Sequence, residues 1–222
     1  MQDASKDIWI IGFGRFGRLA LKKLSQVKVN SSFTVVDKVV SDKEPAQDNV
    51  QFINQDGASF LRHQLAEGRS LSWIVPAVPI HLAAEWCLES LGQGRVQRGA
   101  APEGIGDYVP SLMQGESGDV YASLATFQCP DDCPEPADYC TATKEKREKN
   151  LFDVLQGMNI PGYQVLVLRS HQLAPGVGGY KVKDLLCLKQ TLLNSSGKVL
   201  VATACRCHGV ITAMESYAES SH

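Results

Sequence analysis

The residues best equipped for chemistry fall into two groups. The first is Gly12-Phe13-Gly14-Arg15-Phe16-Gly17, a Gly-x-Gly-x-x-Gly run. In such a run the first glycine permits a tight turn, the second lets a diphosphate approach the backbone, and the third lets the following helix pack on the preceding strand. Asp37, 20 residues after Gly17, stands where a carboxylate accepts hydrogen bonds from an adenosine ribose. It would repel a ribose 2′-phosphate, which favours NAD or another adenine nucleotide over NADP, while Lys38 beside it blurs that preference. The second group carries sulfur and imidazole. Cys129, Cys133 and Cys140 lie within twelve residues stiffened by Pro130, Pro134 and Pro136, and Cys205, Cys207 and His208 come later. Zinc would take four of these ligands in a tetrahedron, whereas an iron–sulfur cluster takes thiolates alone. A thiol pair active in exchange, or a set of inert reduced thiols, would use the same residues. The spacing Cys-x3-Cys-x6-Cys matches neither a paired zinc knuckle nor the ferredoxin run, so all four readings stay open.

These groups need a scaffold, and the hydrophobic pattern supplies one. Ile8 to Ile11 is too short for a helix and reads as a strand, while Phe16, Leu19, Ala20 and Leu24 recur at helical spacing. Further strands are expected at Phe33–Asp37, Val50–Ile53 and Leu71–Val75, with a short helix over Ser59–Ala66 closed by Gly68 and an irregular connection over Lys38–Asp48. Pro76, Ala77 and Val78 then fall at the carboxyl end of a strand, where open α/β sheets bind ligands, and suit the nicotinamide half of a cofactor. Pro79 starts a helix with Ile80, Ala84, Cys87, Leu88 and Leu91 on one face. His81 in its first turn is a candidate catalytic group, set against the commoner reading of a solvated histidine. Residues 92–118 are glycine-rich and read as a linker or lid.

From Val120 the alternation of strand and helix resumes. Strands are expected over Val120–Phe127, Tyr163–Leu168 and Lys198–Ala204, and helices over Lys144–Gly157 and Val182–Leu193. This alternation favours a parallel sheet with right-handed crossovers. The Gly-rich stretch from Arg169 to Tyr180 reads as an edge loop able to wrap an anion, with His171 as a second candidate catalytic residue against the reading of a plain connection. Cys87 and Cys187 are expected to fill core space on their helices.

The residues Gly12 to Arg18 with Asp37 resemble the TrkA-N or RCK nucleotide-binding domain, over about residues 8–91. Asn54-Gln55-Asp56-Gly57-Ala58 is similar to that family's acidic turn near the adenine. The resemblance implies a Rossmann-like domain that binds NAD or an adenine nucleotide and, in a regulatory rather than catalytic role, gates potassium transport as a homo-oligomer. The opening string Gly-Phe-Gly-Arg-x-Gly-Arg is also similar to the start of glyceraldehyde-3-phosphate dehydrogenase, without its catalytic cysteine segment downstream.

Composition narrows the classes. With 222 residues, 44% of them apolar and a formal charge of −2, the chain can bury one good core and lacks the basic footprint of a nucleic-acid or membrane-surface binder. The polar start and the absence of an eighteen-residue apolar window point to a cytoplasmic protein, in which seven cysteines, an odd number, argue against a disulfide scaffold. The reading is therefore an α/β protein: a Rossmann-like parallel sheet over 1–91 with helices on both faces, a linker or lid, and a Cys-rich α/β half over 119–222. Its expected ligands are a dinucleotide, zinc or an iron–sulfur cluster, and a small-molecule substrate if it is an oxidoreductase.

Overall fold

The computed structural model describes residues 7–40, 48–65 and 71–217. The expectations that Gly68 closes a helix and that residues 41–47 form part of an irregular connection lie outside them.

In the first half, apolar runs and turn chemistry give strand, helix and strand in close succession. β1 (Asp7–Ile11), α1 (Arg15–Val27), β2 (Phe33–Asp37), β3 (Val50–Asn54), α2 (Gly57–Gln64), β4 (Leu71–Pro76) and α3 (Leu82–Leu91) come one after another. The four strands are parallel in the order β3-β2-β1-β4. That is the order of one mononucleotide-binding half, and its crevice lies outside the carboxyl ends of β1 and β4, where the order reverses.

The later half departs from a purely parallel plan. β5 (Val96–Arg98), a single 3-10 turn (Ile105–Asp107), β6 (Ser111–Gln114) and β7 (Val120–Ser123) occupy the Gly-rich stretch and the residues just beyond it. Then come α4 (Leu151–Gln156), β8 (Tyr163–Arg169), β9 (His171–Ala174), β10 (Val177–Lys181), α5 (Val182–Leu193), β11 (Gly197–Ala204) and β12 (His208–Ser216). β10 pairs antiparallel with β4 and carries β9 with it, so that the first sheet reads β3-β2-β1-β4-β10-β9. The second sheet reads β6-β7-β12-β11-β8, with β5 also on β12. Both sheets are thus mixed, correcting the expectation of parallel ones. Only β8 and β11 run parallel in the second; the remaining pairs are antiparallel. Chain geometry explains this: the three residues Cys205–Cys207 between β11 and β12 permit only a hairpin, because a parallel return needs a crossover of a dozen residues or more.

Alternation along each strand sorts the core into three bodies. Ile8, Ile10, Val35 and Val75 pack on Ala20, Leu21 and Leu24 of α1. Their sequence neighbours Trp9, Ile11, Val36 and Ile74 face the other way, onto α2, α3 and α5, and this cluster continues into Val199, Val201 and Met214 of the second sheet. The far face of that sheet, with Leu200, Ala202, Ile211 and Ala213, packs on Leu151 and Leu155 of α4. The two sheets therefore share one apolar layer of helices.

Candidate functional site

The three glycines of the first loop divide their work. Gly12 has φ 102°, and a Cβ there would lie 2.4 Å from the Ala77 carbonyl oxygen; at Gly17 it would lie 2.0 Å from the Gly12 oxygen. Both must be glycine for the loop, β4 and α1 to pack so closely. Gly14, the N-cap of α1, is different: around its Cβ position there is nothing within 4 Å. The first N–H groups of an α-helix have no intrahelical partner, and here they begin at this open position with no side-chain cap, the setting in which helix starts receive anions.

Asp37 turns back on this loop. Its Oδ2 accepts the Phe13 N–H at 2.5 Å and its Oδ1 accepts the Val39 N–H at 3.0 Å. Phe13 is buried edge-on against Phe52, with the Arg18 guanidinium over its face at 4.3 Å. Lys38 reaches Asp56 at 3.0 Å. Asp56 caps α2 by accepting the Ser59 N–H, which together with Lys38 holds its carboxyl below the ordinary range. Phe16 departs from the expectation of a core position and is 52% exposed. Helix α1 buries Gly17, Ala20, Leu21 and Leu24. Because Gly17 must face β1, its predecessor Phe16 is turned about 100° away, toward the cleft.

That cleft, about 1580 Å³, takes in the whole of the second group, and of the first only Phe16. Phe16, Pro76, Val78 and Pro79 line it from the first sheet, and Gln172 and Gly176–Gly178 from the β9–β10 hairpin. All six metal candidates line it as well: Cys129, Cys133, Cys140, Cys205, Cys207 and His208. Gly14, Arg15, Ala77, Asp37 and Asp56 are not among the residues that line it.

His171 does not line it either. Its neighbours Ser170 and Gln172 do, and alternation along β9 puts the imidazole on the opposite side, edge-on to Trp73 at 5.5 Å. Its expected loop is a hairpin whose Gly179 brings β10 close to β4: a Cβ there would lie 2.9 Å from the Ile74 oxygen. Of the two cysteines read as core, Cys87 is buried, its thiol pushed up to about 12 by burial, whereas Cys187 is exposed.

The segment Cys129–Arg147 is held from both sides. Arg15 pairs with Asp131. The Cys133 carbonyl accepts the Gly176 N–H at 3.0 Å and the Gln172 amide at 2.6 Å. Arg147 donates to the Pro136 and Tyr139 carbonyls and, through Nη1, to the Cys207 Sγ at 2.6 Å. A single guanidinium thus ties the loop to the β11–β12 turn. The Glu135 carboxylate accepts the Arg206 N–H at 2.7 Å and strengthens that tie.

The thiols differ in their surroundings. Burial raises Cys129, and the charges of Cys207, Cys133 and Cys140 raise it further, so these four sulfurs share one electrostatic neighbourhood. Cys140 goes the other way: the Thr143 N–H and hydroxyl and the Ala142 N–H lower it. Cys205 is pushed up to about 12 by burial and the nearby Glu135, and its Sγ accepts the His208 N–H. Among the described residues no three Cys, His, Asp or Glu side chains converge tightly enough to hold a single ion as they stand.

His81 is buried, 2% exposed, against both expectations for it. It is the N-cap of α3, yet its ring bonds only to the second sheet: Nδ1 to Thr212 Oγ1 at 2.7 Å and Nε2 to Thr203 Oγ1 at 2.8 Å. Thr212 donates its proton to Asp119 at 2.5 Å, so Nδ1 must be the donor to Thr212 and Nε2 the acceptor from Thr203. Asp119 also receives Arg98 at 2.8 Å and Ser117 at 2.7 Å. Burial would raise its carboxyl, but these hydrogen bonds outweigh it and hold it below the ordinary range. Arg98 pairs with Glu85 too. Arg147, Asp131 and this network were not singled out by sequence reasoning; Arg147 stands in a charged run that resembles a solvated helix face.

Comparison with known proteins yields little chemistry. An "Uncharacterized protein" of Archaeoglobus fulgidus is 28% identical over 228 residues, covering 93% of this chain and 98% of its own. No solved structure gives a significant match. The family described as "Uncharacterized protein, C-terminal domain" matches residues 83–217, more than half of the chain, and the protein belongs to that family.

Proposed function

We propose that the protein is a cytoplasmic NAD(H)- or adenine-nucleotide-binding oxidoreductase in which the nucleotide lies over the carboxyl ends of β1 and β4, beside the thiol-lined cleft. The observation that carries this reading is the contrast among the glycines: Gly12 and Gly17 are closed by packing, while Gly14 opens an unfilled space at the start of α1. Asp37 adds a carboxylate at the end of β2, and Pro76, Val78 and Phe16 carry the nucleotide edge into the cleft. Bound there, the nicotinamide would supply hydride chemistry to a small-molecule substrate seated among the thiols. Among the described residues no helix is long and apolar enough to cross a membrane.

A second reading, a homo-oligomeric nucleotide sensor of the TrkA-N or RCK type, is favoured by the Arg15–Asp131 pair. A phosphate that draws Arg15 away would remove one of the ties on the Cys129–Arg147 segment without turnover. Calorimetric titration with NAD⁺, NADH, AMP and NADP⁺ tests both. The expected result is saturable binding of NAD(H), with NADP⁺ at least ~10-fold weaker because its 2′-phosphate meets Asp37. Absence of saturable binding by all four sinks the nucleotide reading. Binding with a change in sedimentation and no hydride transfer to a carbonyl panel selects the sensor.

A further inference from the structure

We propose that Thr203 is an activated nucleophile that accepts an acyl group from an ester whose acid part is apolar, with His81 as its base. The inference goes beyond hydride chemistry and does not depend on the nucleotide.

Strand alternation places Thr203. β11 turns Val199 and Val201 into the layer between the sheets, and Thr203 follows on the same side, near the carboxyl end of the strand. There it lines the cleft, and its hydroxyl donates to His81 Nε2 at 2.8 Å. A hydroxyl is a weak nucleophile until a base within hydrogen-bond reach takes its proton and a third group orients that base. Here the imidazole gives its Nδ1–H to Thr212 at 2.7 Å, and Thr212 gives its proton to Asp119 at 2.5 Å. Every donor in this row points away from the cleft, toward a buried carboxylate, so the row polarises in one direction and leaves Thr203 Oγ as its electron-rich end. The same carboxylate offsets the charge that the ring gains when it takes the proton. A tie that served the fold alone would have no need to end in a hydroxyl at the cleft.

Two further features of the cleft suit an ester. His81 is the N-cap of α3 but gives the helix no side-chain cap, and the N–H groups of Leu82 and Ala83 that follow it have no acceptor among the described residues. Both residues line the cleft. Free donors at a helix start, next in sequence to the base, are of the kind that holds the negative oxygen formed when a carbonyl is attacked. Ile80, Met113 and Phe127 are exposed apolar side chains on the same cleft, and an apolar acid part would cover them. In the reaction Thr203 Oγ bonds to the carbonyl carbon while its proton passes to His81 Nε2; the bond to the leaving alcohol breaks, and that alcohol takes the proton. Water, the second reactant, then cleaves the Thr203 ester by the same two transfers, releasing the acid and restoring the hydroxyl.

The test is labelling of the full chain with an alkyl fluorophosphonate, in which Thr203 Oγ bonds to phosphorus and fluoride leaves. Intact mass gives the stoichiometry and peptide mass spectrometry the site. Expected is a single adduct per chain, on Thr203. Thr203→Ser should keep the adduct and Thr203→Val should lose it. His81→Gln should label at least ~100-fold more slowly, as loss of a positioned base predicts, with circular dichroism confirming that each variant is folded. The proposal is overturned by no adduct on the wild-type chain, by an adduct on another residue in place of Thr203, or by an unchanged labelling rate in His81→Gln. If His81→Gln does not fold, labelling of the wild-type chain in deuterium oxide decides: a slower rate shows that a proton moves as the hydroxyl attacks, and an equal rate overturns the base. NADH titration of the same samples keeps the readings apart, since labelling without NADH binding refutes only the nucleotide and the reverse refutes only the nucleophile.

Discussion

Gly14 is the member of its motif that nothing in the fold requires. Its φ of −70° suits any residue, and no atom lies within 4 Å of where a Cβ would stand. Gly14→Val should therefore leave thermal stability within about 1 kcal/mol of wild type, the usual range for a substitution that touches no packed group. Its branched side chain fills the space a diphosphate needs, so NADH affinity should fall at least ~10-fold in a fluorescence titration, the loss of about 1.4 kcal/mol. Unchanged affinity places the ligand elsewhere. Gly17→Ala is the reverse case: a methyl group 2.0 Å from the Gly12 oxygen must displace α1 and lower stability whatever binds. At this scale the glycines, Asp37 and the paired cysteine segments were legible because local chain chemistry defines them. Phe16 and His171 were misread by a single step, since the side of a helix or strand that a residue occupies depends on its neighbours' packing. Arg147 and Asp119 were invisible, because their importance lies in partners 60 and 93 residues away.

The β9–β10 hairpin shows what local pattern leaves out. Its Gly178-Gly179 pair reads as a loop, but the glycines are there because β10 lies close against β4 and Ser170, not because the chain must bend. The parallel strands β1 to β4 were each legible from apolar runs ending in turn residues, whereas β12 was missed, although Gly209 to Ser216 pairs along all of β11. Gly176 makes the same hairpin functional. At φ 73° and with the Asp131 oxygen 1.8 Å from a would-be Cβ, it lets the hairpin seat against the cysteine segment. Gly176→Ala should push that segment away and cost stability of about 1–3 kcal/mol, from an unfavourable φ together with the clash. Hydrogen exchange of the Cys133 and Asp132 amides should then rise while those of β1 stay protected. Equal protection in wild type and variant would mean that the clamp contributes nothing to ordering the segment.

Across the whole molecule, the two sheets share an apolar helical layer and one polar staple. His81, at the head of a helix that packs on the first sheet, spends both ring nitrogens on Thr203 and Thr212 of the second. The charged groups facing it are Asp119, which favours its protonation, and Arg98, which opposes it; burial outweighs both and lowers the imidazole to about 4. Because the folded value lies below the ordinary 6.5, the unfolded chain binds the extra proton first. The stability this group lends is therefore fully present above pH 6.5 and is lost as pH falls from 6.5 toward 4, by about 3 kcal/mol in all. Asp119, whose folded value is lowered, adds its own loss only below the ordinary carboxylate range, so the two windows separate. His81→Gln keeps a polar side chain but cannot titrate. Urea midpoints measured from pH 8 to 4.5 should fall more steeply for the wild type than for the variant, and the variant should be less stable at pH 8, where the histidine network is intact. Parallel slopes in the two proteins would show that folding leaves the proton affinity of His81 unchanged, and a shallower fall in the wild type would show that the junction of the sheets holds a charged rather than a neutral imidazole.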